Sequence, residues 1–158
     1  SQFGYSNTLV EIGGELHAKG KHILKNSQWT VAIDAPNINP YERELLRTLK
    51  LENQALATSG NYRKYRIDDA GNKVVHTINP LNGTARPSKV LSASVVAADC
   101  MTADAYATAL MSMPLSMLEE QSTERIEYML IFAGEGGAYD LRLSPKFPSL
   151  NLPFYKQE

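Results

Sequence analysis

The sequence predicts an α+β domain in which strands dominate and helices are few. Short runs of β-branched and aromatic residues recur along the chain, and turns rich in glycine, asparagine and proline separate them, which is typical of antiparallel sheets. Residues 99–113 instead have an alanine-rich body, an aspartate at their start and a proline directly after them, which predicts a helix. With 158 residues, 43% of them hydrophobic, the chain is predicted to form a single domain, residues 1–158, with a buried core.

Local composition and turn signals place the remaining elements. The predicted strands are residues 8–12, 15–18, 28–33, 54–59, 62–67, 73–78, 91–98, 126–132 and 138–143. Residues 41–50 are ambiguous, because Leu45, Leu46 and Leu49 suit one face of a helix whereas Leu49 and Leu51 fit a strand. Residues 116–121 are predicted as a second short helix, and the tail after Pro145 as a strap over the surface.

Composition excludes several classes of protein. Lys+Arg 16 against Asp+Glu 17 leaves a net charge of −1, which excludes a broad basic face, so nucleic acid is not an expected partner. A single cysteine, Cys100, excludes an internal disulfide framework and a multi-cysteine zinc site. No apolar run approaches the ~18–20 residues needed to cross a bilayer. The opening has neither a Met nor a secretory leader, which suggests a piece cut from a longer protein.

Asp104 and Thr108 are the first candidate pair for chemistry. At i,i+4 on the predicted helix they share a face, and a carboxylate and a hydroxyl there can both ligate a hard cation such as Mg²⁺. The alternative is structural, because an aspartate early in a helix is favoured by the helix dipole and a mid-helix threonine often bonds back to the i−4 carbonyl.

Glycine-bearing loops and two reactive side chains are further candidates. The loops at Gly13-Gly14, Ser59-Gly60 and Gly83 would let a ligand approach the backbone closely, but each also fits an ordinary turn, and none matches a P-loop or a dinucleotide fingerprint. His76 ends a predicted strand, where it would serve either as a general base or as a histidine satisfied by the backbone. Cys100 starts the helix, either as an acidified thiol or as a small buried residue.

Four segments, taken in order, resemble one family. LVEIGGELHAKG, ALATSGNYRKY, HTINPLNGTARP and VVAADCMTADAYATALMSM are similar to the C-terminal half of the ApbE-like flavin transferases, from about Leu9 to Gly137. The resemblance implies the ApbE-like, T-fold-related domain without the family's N-terminal half. It also implies an Mg²⁺-dependent enzyme that takes FAD, transfers FMN to a threonine of an acceptor protein and releases AMP.

The resemblance also implies partners and a location. The family's acceptors are subunits of redox complexes of the NqrC and RnfG types, and its members are periplasmic, often held at the inner membrane by a lipid anchor that this chain lacks. The absent half further predicts exposed apolar surface and leaves self-association into a homo-oligomer open. Two alternatives stay open: FAD hydrolysis to FMN and AMP without an acceptor, and a non-catalytic flavin- or nucleotide-binding module or inactive fragment.

Site residues follow from the resemblance position by position. Asp104 and Thr108 match the metal-binding pair, and His76 matches the expected base toward the acceptor threonine. The predicted FAD contacts are Thr58, Ser59, Gly60, His76 and Ile78. Asn79 stands where many members have Asp, and Ala107 stands where some members have a second carboxylate, so fewer side-chain ligands for the metal are expected here.

Overall fold

A computed structural model describes residues 3–36, 44–62, 65–71, 73–75, 77–85, 90–113, 125–134 and 138–150. Within these ranges the strands are β1 (Thr8–Ile12), β2 (Glu15–Lys19), β3 (Trp29–Asp34), β4 (Leu45–Leu51), β5 (Gln54–Gly60), β6 (Tyr65–Ile67), β7 (Lys73–Val75), β8 (Val90–Ala97), β9 (Glu127–Ala133), β10 (Tyr139–Leu143) and β11 (Ser149–Leu150). One α-helix, α1 (Cys100–Ser112), and a 3₁₀ turn (Ile23–Lys25) complete the described elements. The predicted α+β class with few helices is confirmed.

A central antiparallel sheet organises the fold. Its six strands lie in the order β1-β2-β5-β8-β9-β10, and a three-stranded sheet has the order β11-β4-β3. The inner strands of the central sheet have apolar side chains on both faces, because α1 packs on one face and the three-stranded sheet packs on the other. Trp29 ties the two sheets together by donating its indole N–H to the carbonyl of Lys19 at 3.0 Å.

The hairpin that joins β1 to β2 explains the paired glycines. Ile12 pairs with Glu15, so the loop has only two residues. Gly13 and Gly14 both have positive φ, +70° and +108°, a backbone that side chains other than glycine rarely adopt. This pair of glycines therefore serves as a tight hairpin turn.

Residues 41–50 were ambiguous from the sequence, and the structure shows a strand at 45–51. Leu49 and Leu51 are both 0% exposed and face the core between the two sheets, while Lys50 between them is exposed. This alternation is the period of a strand, and it is fixed by pairing with β3. Residues 41–43 lie outside the described residues.

Two predicted elements differ from the structure in their extent. The strand predicted at 73–78 ends at Val75, because the amide of Val75 already donates to the carbonyl of Ala85 as the chain folds back into a loop. The tail is more than a strap, since Ser149 and Leu150 pair with β4 as β11. The short helix predicted at 116–121 lies outside the described residues.

Candidate functional site

Small residues bring α1 close to the central sheet. Its buried residues are Ala103, Ala107, Leu110 and Met111. On the sheet side the same cluster contains Ala55, Ala57, Ala93 and Ala97, all nearly or fully buried. Because alanine methyl groups line both sides, the helix axis can approach the strands closely. Asp104 and Thr108 are exposed, outside this contact, and both are available to solvent.

The start of α1 is capped by a side chain. Asp99 accepts the Thr102 backbone N–H at 2.8 Å and the Thr102 hydroxyl at 3.0 Å. The backbone N–H of Thr102 is the main cause that lowers the pKa of the Asp99 carboxyl, and the hydroxyl adds to it. Asp99 is therefore the helix cap, which leaves Asp104, a turn and a half further on, free for another role.

Ser59 and Thr108 meet across the gap between β5 and α1. The two hydroxyl oxygens lie 3.3 Å apart, a hydrogen-bond distance in which either oxygen can be the donor. Ser59 lies on the same face of β5 as Ala57, the face that packs on the helix. The structure thus brings together the predicted site residues Ser59 and Thr108, with Asp104 one helical turn away.

Thr58 lies on the opposite face of β5. It is paired with Ser94 in the register of β5 and β8, and its hydroxyl lies 2.8 Å from that of Ser94, which is 1% exposed. The alternation of strand side chains therefore separates the two adjacent hydroxyls of the Thr58-Ser59-Gly60 segment. The assignment of Thr58 as an FAD contact stays a prediction.

Gly60 is required for packing. A Cβ built on Gly60 would lie 2.7 Å from Cε1 of Tyr62, so the aromatic ring occupies the space that a side chain would need. The backbone of Gly60 thereby lets the Tyr62 ring fold back over the end of β5. This is a structural reason for the glycine that needs no ligand.

The loop that carries Ile78 is held by its own polar groups. The side chain of Asn79 accepts the backbone N–H of Leu81 at 2.9 Å, and that of Asn82 accepts the N–H of Thr84 at 3.0 Å. Ile78 is 59% exposed, and its contact with FAD stays a prediction. The oxygen of an amide makes the Asn79 turn as well as a carboxylate would, without the negative charge. His76 lies outside the described residues.

An open cleft lies beside the N-terminal half of α1. Its volume is about 330 Å³, and it is lined by Val10, Ile12, Glu15, His17, Cys100, Met101 and Asp104. Ile12 and Met101 are 77% and 80% exposed. Glu15 and His17 were missed from the sequence as site residues. Strand alternation in β2 indicates that Glu15 and His17 share a face. Nothing in the sequence indicates that this face lies beside Asp104, because the two segments are far apart along the chain.

The cleft does not activate Cys100. Burial raises the pKa of its thiol, and the nearby carboxylates of Glu15 and Asp99 raise it further. Cys100 also packs against the core cluster under α1. The sequence left open an acidified thiol or a small packed residue at the helix start, and the structure favours the packed residue.

The donors at the site suit a hard cation only in part. Asp104 and Thr108 offer a carboxylate and a hydroxyl, both oxygens, as Mg²⁺ prefers, and Mg²⁺ usually keeps several waters. No cluster of three or more His, Cys, Asp or Glu residues that could hold a metal is found within the described ranges. Ala107 is 0% exposed against the sheet, so a carboxylate at that position would face the core rather than the Asp104 side. With two oxygen donors from these side chains, the remaining positions of a Mg²⁺ ion would fall to water or to phosphate oxygens.

The sequence of the chain is similar to one known protein family. The sequence model described as the ApbE family matches residues 1–130. The chain therefore belongs to the ApbE family, as its motifs predicted. Within the described residues no helix is long and apolar enough to span a membrane.

Known relatives agree in sequence and in structure. The chain is 38% identical over 110 residues to a FAD:protein FMN transferase of Vibrio cholerae, covering 70% of this chain and 32% of that protein. It is 29% identical over 148 residues to the Escherichia coli K12 protein of the same name, covering 94% and 41%. The solved flavin transferase ApbE from Vibrio cholerae superposes with a TM-score of 0.70 at 29% identity, covering 90% of this chain and 43% of that one.

A more distant solved structure has the same fold. The ApbE protein of Thermotoga maritima superposes with a TM-score of 0.67 at 25% identity and covers 85% of this chain and 42% of that chain. The chain thus spans between about a third and two fifths of the length of these relatives.

Proposed function

We propose that this chain contributes to a site that transfers FMN from FAD to a threonine of an acceptor protein, with release of AMP. The observation that carries the proposal is the contact between Ser59 and Thr108 at 3.3 Å, which places two predicted site residues together beside Asp104. Membership of the ApbE family and the names of the relatives, FAD:protein FMN transferase, support it.

In this proposal the residues of α1 hold the cation. The carboxylate of Asp104 and the hydroxyl of Thr108 hold one Mg²⁺, which when bound offsets the negative charge that develops on the pyrophosphate oxygens. Both side chains are exposed, so phosphate oxygens can approach them without opening the core. Ser59 fixes the Thr108 hydroxyl, because it occupies one of the hydrogen-bond positions of that oxygen.

The transfer exchanges one oxygen partner of the FMN phosphorus for another. The threonine oxygen of the acceptor bonds to the FMN phosphorus, the bond from that phosphorus to the oxygen of AMP breaks, and AMP leaves. His76 takes the proton of the threonine hydroxyl, and Ile78 contacts the bound FAD from its exposed position on the loop. In this proposal Thr58, Ser59 and Gly60, at the end of β5, also contact FAD.

The acceptors in this proposal are periplasmic subunits of redox complexes of the NqrC and RnfG types. A lipid-anchored position at the inner membrane would bring the enzyme to them. The support is the family to which the chain belongs. Flavin labelling of such a subunit in intact cells, with and without the gene that encodes this chain, tests this part.

The test begins with FAD binding by the 158-residue chain, measured by isothermal titration with Mg²⁺ and with EDTA. We expect binding that requires Mg²⁺ and that Asp104→Asn and Thr108→Ala each weaken by about tenfold, the scale of a lost charged or ligand contact. Asp69→Asn, an exposed aspartate in the turn after β6, is the matched control and leaves binding unchanged. Binding that is equal in Mg²⁺ and in EDTA, or no binding, contradicts the proposal.

A second experiment separates transfer from hydrolysis. The chain is mixed with FAD, Mg²⁺ and an NqrC-type acceptor, and covalent flavin fluorescence on the acceptor is compared with AMP release. Fluorescent acceptor in proportion to AMP supports transfer. AMP and free FMN without labelled acceptor instead identify a FAD pyrophosphatase, and Mg²⁺-dependent FAD binding without AMP identifies a binding module.

A further inference from the structure

Asn61 is a buried amide with an unexplained donor. It follows β5 directly and is 5% exposed. Its backbone N–H donates to the carbonyl of Leu91 at 3.0 Å, and its side-chain Oδ1 accepts the Thr77 hydroxyl at 3.2 Å. Its Nδ2 is buried and has no hydrogen-bond partner among the described residues. A buried polar group left without a partner lowers stability, so an asparagine at this position needs a physical explanation.

The bond from Thr77 joins two parts of the candidate site. Asn61 lies two residues after Ser59, whose hydroxyl contacts Thr108. Thr77 is the neighbour in sequence of both His76 and Ile78. The Asn61 side chain therefore connects the end of β5 to the start of the 77–85 loop.

The loop itself is already a preformed unit. The amide of Asn79 donates to the carbonyl of Thr84 at 2.8 Å, and the amide of Gly83 donates back to the carbonyl of Asn79 at 2.8 Å. The side chains of Asn79 and Asn82 close two further turns within the loop. Because these bonds fix the shape of the loop, what remains to be set is where the loop lies against β5.

We propose that Asn61 is a positioning residue for flavin binding: its buried amide holds Thr77, and so fixes Ile78 relative to Ser59 and to α1. This inference rests on the proposed function, since Ile78 matters only if it contacts FAD. Asn61 itself need touch neither FAD nor the cation. Keeping an amide there despite its unpaired Nδ2 group is explained if the Oδ1 contact contributes more to the site than the unpaired donors cost.

Two valine substitutions in the same loop test the proposal. Thr77→Val removes the hydroxyl that reaches Asn61, while Thr84→Val removes a hydroxyl whose bond among the described residues is within the loop, to Asn82 at 2.8 Å. We expect the FAD dissociation constant of Thr77→Val to rise about 2- to 10-fold, the range for one lost hydrogen bond. Thr77→Ser, which keeps the hydroxyl, should restore binding, and Thr84→Val should bind as the wild type does.

Asn61→Ala removes the other partner of the same hydrogen bond and should weaken FAD binding in the same way. If Asn61→Ala does not fold, the test rests on Thr77→Val. Hydrogen exchange adds a readout of position: the amides of Leu81, Gly83 and Thr84 should stay protected in Thr77→Val, because the loop moves as a unit without unfolding. A merely structural role lowers the melting temperature and leaves the FAD affinity unchanged.

The possible failures are distinguishable. If the wild-type chain binds no FAD, the proposed function fails and this inference fails with it. If the wild type binds FAD and both Thr77→Val and Asn61→Ala bind it equally well, only the positioning role of Asn61 is wrong. If Thr84→Val weakens binding as much as Thr77→Val does, the loop is sensitive to any change and the specific link through Asn61 is contradicted.

Discussion

Replacing Ala107 by leucine tests whether close packing of α1 builds the site. Ala107 is 0% exposed and belongs to the cluster that contains Ala57 and Ala93, also 0% exposed, on the sheet beneath. Leucine adds three carbon atoms where both surfaces are already lined by methyl groups. Overpacking of this kind costs about 1–3 kcal/mol. For a chain of this size that corresponds to a melting temperature lower by about 2–12 °C, measured by circular dichroism.

The same substitution on the exposed face of α1 is the control. Ala105 is exposed on α1, and leucine there changes helix propensity by a small amount only, so Ala105→Leu should stay within about 0.5 kcal/mol of the wild type. Moving the helix outward also pulls Thr108 from Ser59, so Ala107→Leu should weaken Mg²⁺ binding as well, followed with Mn²⁺ as a spectroscopic substitute. Equal stability of the two variants would refute the packing argument.

Three further predictions concern single side chains. Ser59→Ala should weaken Mn²⁺ binding by about 2- to 10-fold through loss of its contact with Thr108, whereas Thr58→Val, whose hydroxyl faces Ser94, should not; equal loss in both would contradict the assignment of faces. Cys100 should react with iodoacetamide at pH 7.5 more slowly than a free model thiol, because burial raises the pKa of its thiol, and Glu15→Gln should speed the reaction; a fast wild-type rate would contradict this. Because the pKa of Asp99 is lowered in the folded chain, the stabilisation from its cap is present above about pH 4 and is lost as the pH falls through that lowered pKa. In urea unfolding, the stability of the wild type relative to Asp99→Ala should therefore shrink in acid. The stability of Asp99→Asn relative to Asp99→Ala should stay constant, because the amide does not titrate.

Local signals were enough for most elements. The helix predicted at 99–113 is α1 from Cys100 to Ser112, since an N-cap aspartate, an alanine-rich body and a following proline are all encoded within a few residues. The strand predicted at 91–98 is shifted by one residue, to Val90–Ala97. At 41–50, by contrast, the leucine spacing fits both periods, and pairing with β3, distant in sequence, decided for a strand.

The site was only partly readable from sequence for a related reason. The helical spacing of Asp104 and Thr108 is local, so their shared exposure could be predicted. The opposite faces of Thr58 and Ser59 follow from strand alternation, although the resemblance grouped them. Nothing local indicates that Asn61 is buried, because its contact with Thr77 depends on how the 77–85 loop folds back.

These relations suggest how the fold gives the site its precision. Ser59 lies near the end of β5 and Asn61 directly follows it, and β8 pairs with β5 up to Gly60, while β2 pairs only with residues 54–56. One contact from this strand end reaches α1 through Thr108, and another reaches the 77–85 loop through Thr77. The two chemistries of the proposed reaction, cation binding and flavin contact, therefore share one strand end as their reference, held by its pairing with β8. A change that shifts the end of β5 should disturb both functions together, whereas Thr77→Val should disturb the flavin contact alone and leave Mn²⁺ binding intact.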